Sequence, residues 1–79
     1  MTCPTRRWSH SKWYAFDNIN GLLSLWYAGE DEFRDWDYDT LRQMQTLGVL
    51  DEWLKEAYPG ADEHDRQQAI AIIGVALEE

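Results

Sequence analysis

A chain of 79 residues with a formal charge of −8 and a single cysteine is one domain's worth of sequence, too acidic for its body to bind nucleic acid or an anionic membrane surface. The lone Cys3 excludes an internal disulfide and a four-cysteine zinc site. A domain of this size buries only about 60% of the surface its unfolded chain exposes, so five Trp, four Tyr and two Phe, each able to bury roughly 150–250 Å², carry much of its core.

The charge is unevenly placed. Arg6, Arg7 and Lys12 precede every acid, and from Asp17 onward 15 acids face four bases. Residues 1–8, MTCPTRRW, hold Pro4 and show no periodicity, and they read as a basic N-terminal arm ahead of a single acidic domain over residues 9–79. Arg6 and Arg7 with Trp8 have the make-up of a stacking contact to nucleic acid, or of a counter-charge that folds back onto the acidic body. Cys3 reads as an inert thiol. The N-terminus lacks the apolar core of a signal peptide, and no stretch approaches the 18 or so apolar residues of a membrane span. The expected compartment is the cytoplasm of a bacterial host cell.

From Ser9 or Ser11, apolar residues recur at Trp13, Phe16, Ile19, Leu23, Trp26 and Tyr27, the three-and-four spacing of a helix face. The spacing predicts a helix ending at Ala28, with Gly29 closing it in the left-handed conformation. Asn20-Gly21 is a strong hairpin dipeptide and offers the alternative of two strands, but Trp13 beside Tyr14 and Leu22 beside Leu23 alternate poorly. The helix is favoured. A second helix is predicted after a cap at Asp39 or Thr40, with Leu41, Met44 and Leu47 on its apolar face and Gly48 at its end. A third carries Leu50, Trp53, Leu54, Ala57 and Tyr58 up to Pro59-Gly60. A fourth starts on Asp62 and repeats Ala69, Ile70, Ile73, Ala76 and Leu77. The predicted fold class is therefore mainly α, about four helices, with a possible short hairpin around Asn20-Gly21.

Between the first two predicted helices lies GEDEFRDWDYD, residues 29–39, with six carboxylates and three aromatic rings around Arg34. Asp35, Asp37 and Asp39 imitate the start of an EF-hand loop, but Thr40 stands where the loop needs Gly and Thr46 where it needs a bidentate Glu. No metal is expected. If the stretch is extended, Asp35, Asp37 and Asp39 point one way and Trp36 and Tyr38 the other. Alternate residues then lie about 6.6–6.8 Å apart, close to the phosphate spacing of a nucleic-acid strand. The competing reading is a solvated link whose carboxylates favour the next helix N-terminus. Glu30, Asp31, Glu32, Asp35, Trp36, Asp37, Tyr38 and Asp39 are the candidate partner-binding residues.

His10 and His64 stand in no ligand or catalytic spacing, and no Walker loop, G-x-S-x-G or G-x-G-x-x-G occurs. No cofactor is expected, and the reading is not an enzyme. In size, charge and its acidic-aromatic stretch the chain resembles phage-encoded anti-CRISPR proteins, a class without a shared motif. The resemblance implies a stoichiometric binder, monomer or homodimer, that blocks DNA access to a basic surface on a Cas effector subunit of a type I Cascade-type complex. The alternative is a small regulatory module, antitoxin-like or binding a transcription regulator, that uses the apolar helix faces of residues 50–58 or 69–77.

Overall fold

The computed structural model describes residues 6–18 and 20–78; Cys3 and Ile19 lie outside them. Four strands come first, β1 (Arg7–His10), β2 (Trp13–Asp17), β3 (Leu22–Tyr27) and β4 (Arg34–Asp37), then three helices, α1 (Tyr38–Leu47), α2 (Leu50–Ala57) and α3 (Glu63–Glu78). The strands form one antiparallel meander in the order β1-β2-β3-β4. The expectation of a mainly α, four-helix domain is thus corrected to a four-stranded sheet with three helices packed on one face. Arg7 and Trp8, placed in the arm by sequence, are the first two residues of β1.

The favoured first helix is overturned, and the hairpin that Asn20-Gly21 offered as the alternative is what forms. Asn18 explains much of this: its side-chain oxygen accepts from the amides of Asn20 at 2.8 Å and Leu22 at 3.1 Å, so the side chain builds the turn. Gly21 takes a positive φ of 77°, which a glycine adopts without steric cost. Trp13, Ala15, Leu23, Leu25 and Tyr27 then alternate onto the inner face and are buried. Register pairs Trp13 with Tyr27 and Ala15 with Leu25.

The helical half follows its local signals. Asp37 caps α1 by accepting from the Thr40 amide at 3.3 Å, two residues earlier than the first cap expected from sequence. Gly48 closes α1 in the left-handed region. Asp62 caps α3, accepting from the Asp65 amide at 2.8 Å. Leu41, Met44, Leu50, Leu54, Tyr58, Ala69, Ile72, Ile73 and Ala76 complete the core beneath the sheet. Leu47, expected on the inward face, is 74% exposed.

A polar lock joins α3 to the hairpin. Asp65 is only 4% exposed; its carboxylate accepts from the Tyr27 hydroxyl at 2.6 Å and from Lys12 at 3.5 Å, and its carbonyl accepts from the Trp13 indole at 2.7 Å. The Tyr27 bond holds the Asp65 carboxyl below its ordinary range. The same bond, with burial, pushes the Tyr27 hydroxyl up to about 12. Trp13 lies between Tyr27, at 4.6 Å between ring centroids, and Tyr58, at 5.1 Å.

Candidate functional site

The sheet has an inner and an outer face, and strand register assigns each residue to one. Trp8 pairs with Ala15, Ala15 with Leu25 and Leu25 with Arg34, all on the inner side. The outer face carries three rows: Arg7, Phe16, Ser24 and Asp35 in the first, Ser9, Tyr14 and Trp26 in the second, and Leu22 with Asp37 in the third. Phe33, in the loop before β4, extends the second row. Among the described residues no helix packs on this side, because all three helices bury their apolar residues with the inner face.

The acidic stretch is extended only in part. Over β4 the alternation holds: Asp35 and Asp37 face outward and are exposed, and Trp36 turns inward against Trp53, edge to face. Its indole donates to the Tyr58 hydroxyl at 3.4 Å, and that hydroxyl donates to the Leu25 carbonyl at 3.0 Å. Burial pushes the Tyr58 hydroxyl up to about 12. One inward aromatic therefore clamps β4 to β3 and to the residue that ends α2.

The alternation stops at Tyr38, the first residue of α1. Asp39 lies in the first helical turn and pairs with Arg42 at 3.4 Å, so it does not continue the strand's carboxylate row. Tyr38 is half-buried at the edge of the core, its hydroxyl accepting from Arg6 at 3.4 Å and its ring 5.8 Å from the Arg6 guanidinium. Arg6 also pairs with Asp17 and lies 5.1 Å from the Trp8 ring. This end of the basic segment is thus a counter-charge within the acidic body.

The remaining candidate residues are engaged to different degrees. Asp35 accepts from the Ser24 hydroxyl at 2.6 Å, and Ser24 in turn accepts from Asn18 at 3.2 Å, so this carboxylate is oriented from beneath. Asp37 is occupied by its cap. Glu30 pairs with Arg34 at 3.9 Å, and its carbonyl accepts from the Trp26 indole at 3.0 Å. Among the described residues, Asp31 and Glu32 are exposed and form no ion pair or hydrogen bond. Residues 30–36 line a hollow of about 520 Å³.

The sequence reading missed the aromatic neighbours of this loop. Phe33 is 42% exposed and sits at the centre of a cluster, 5.1 Å from Phe16, 6.1 Å from Tyr14 and 6.4 Å from Trp26 between ring centroids. A helical reading places Phe16 and Trp26 on one core-facing stripe. The signal for the cluster was the two-residue step from Tyr14 to Phe16 across the turn from Ser24 and Trp26, legible once the hairpin is accepted.

No family model, curated protein or solved structure matches this chain. Among the described residues, no group of three or more His, Cys, Asp or Glu side chains is arranged to hold a metal, and no helix is long and apolar enough to cross a membrane.

Proposed function

We propose that the protein is a non-enzymatic, stoichiometric inhibitor that covers a basic nucleic-acid-binding surface on a partner protein in the cytoplasm. The observation that carries this reading is the carboxylate arrangement at one edge of the sheet. Asp35 and Asp37 leave β4 on the same face, two residues apart, beside the unpaired Asp31 and Glu32. Alternate residues of a strand are separated by about 6.6–6.8 Å, and the Trp36–Tyr58 clamp fixes the strand that presents them. Electrostatic attraction to a Lys- and Arg-lined groove would steer encounter and exclude a phosphate backbone from the same place.

The apolar helix faces are less suited to a partner. Leu50, Leu54, Tyr58, Ala69, Ile73 and Ala76 are buried in the domain's own core, which disfavours a regulatory module that docks through them. The resemblance to anti-CRISPR proteins makes a Cas effector subunit of a Cascade-type complex the first partner to try. Asp31→Lys with Glu32→Lys reverses two charges that form no ion pair or hydrogen bond among the described residues. The double variant should retain its melting temperature and lose affinity for such a complex by about tenfold or more. Unchanged affinity, with unchanged salt dependence, would remove the reading.

A further inference from the structure

The open face of the sheet has a composition unlike a merely solvated one. Tyr14, Phe16 and Trp26 are half-buried there with Phe33 lying over them, and Tyr14, Trp26 and Phe33 border a hollow of about 530 Å³ that Ser9, Lys12 and Ala28 complete. Phe33 also lines the acidic hollow of residues 30–36. One ring is therefore the wall between an aromatic concavity and a carboxylate-lined one.

Two cations border that wall, Lys12 at the aromatic hollow and Arg34 at the acidic one, and each is engaged by other groups of the fold. Arg7 is at the β1 edge of the outer face, across the sheet from Asp35. The Lys12 amine reaches Asp65, a group on α3. Arg34, on the inner side of β4 by register, pairs with Glu30 at 3.9 Å and has its guanidinium 5.6 Å from the Tyr58 ring. With Glu30 offset by Arg34, the charge at the Phe33 end of the face is negative, from Asp31, Glu32 and Asp35.

Resting on the function proposed above, we infer that this face is a stacking platform for arginine side chains of the basic partner. Phe33, Tyr14 and Trp26 supply ring faces, and Asp35 with the loop carboxylates supplies acceptors at the rim. A guanidinium is planar, weakly hydrated and forked, so it stacks on a ring and bonds a carboxylate at its edge at the same time. A lysine ammonium is compact and strongly hydrated, and it gains less from the rings. The face therefore selects arginine-rich surfaces from among basic ones.

The test uses two peptides of equal length and charge, one alternating Arg with Gly and the other Lys with Gly, titrated into the full chain and followed by fluorescence anisotropy. The arginine peptide should bind about fivefold tighter, and Phe33→Leu should bring it to the lysine level with lysine-peptide affinity unchanged. Tyr14→Thr, which keeps a strand-favouring residue, should do the same; circular dichroism confirms that both variants fold. Equal binding of the two peptides to the wild-type chain would overturn the platform and leave the acidic-decoy reading standing. Binding of neither would overturn both. Tighter binding of an oligouridine that is lost in Tyr14→Thr would overturn the inference in favour of base stacking.

Discussion

Tyr58→Phe removes one oxygen atom from the joint that orients the acidic edge. Tyr58 is completely buried, and its hydroxyl donates to the Leu25 carbonyl while accepting from the Trp36 indole. The phenylalanine ring fills nearly the same volume, so the loss is confined to those two bonds. A buried neutral hydrogen bond contributes about 0.5–1.5 kcal/mol, and a partner left unsatisfied costs about 1–3 kcal/mol. The 3.4 Å indole contact is the weaker of the two and Trp36 has some access to water, so a destabilisation of about 2 kcal/mol is expected. For a domain of this size that corresponds to a melting temperature lower by about 8–16 °C. Urea unfolding followed by tryptophan fluorescence should give a lower midpoint at an unchanged slope. A melting temperature within about 2 °C of wild type would refute the claim that this hydroxyl joins β3, β4 and the end of α2.

Three further outcomes follow from the polar groups. The Asp65 carboxyl is held below its ordinary range in the folded chain, so its contribution is fully present above the unfolded carboxylate pKa and is lost as pH falls through the lower folded value. Asp65→Asn should flatten that acid limb in pH-dependent melting curves, and an unchanged limb would count against the lock. Tyr27 and Tyr58 are both raised to about 12, so their contribution is intact below pH 10 and lost as pH rises toward 12; Tyr58→Phe should shallow that alkaline limb. Asp37→Ala removes the α1 cap and should cost about 1 kcal/mol by urea unfolding, and the same variant should also weaken partner binding.

The helical half was legible because its signals are local. Gly48, Pro59-Gly60 and Asp62 each act within a few residues of the boundary they set, and the apolar spacing of Leu50, Leu54, Ala69 and Ile73 faces one core. The hairpin's turn was legible in Asn20-Gly21, but its two strands were outweighed by the helix spacing because their outer face is aromatic as well. Tyr14 and Phe16 between Trp13, Ala15 and Asp17, and Leu22 and Trp26 beside the inward Leu23, Leu25 and Tyr27, erase the polar-apolar alternation that marks a half-buried strand. What remained was a three-and-four spacing among large residues that a helix also satisfies.

The candidate site divides in the same way. Outward Asp35 and Asp37 with inward Trp36 could be read from strand alternation alone. The end of that alternation could not, because Asp37 serves both as the last residue of β4 and as the cap of α1. Phe33, Tyr14, Phe16 and Trp26 meet only through the pairing of separate strands, which no local pattern encodes.

The central claim, that the acidic edge occupies a place otherwise taken by nucleic acid, is tested most directly by competition on a Cascade-type complex. Labelled target DNA is bound to the complex and the protein is titrated in at two salt concentrations. The account predicts displacement of the DNA at one equivalent of protein, weakened at the higher salt and weakened further by Asp31→Lys with Glu32→Lys. A stable complex holding DNA and protein together, insensitive to salt and to those two substitutions, would contradict it.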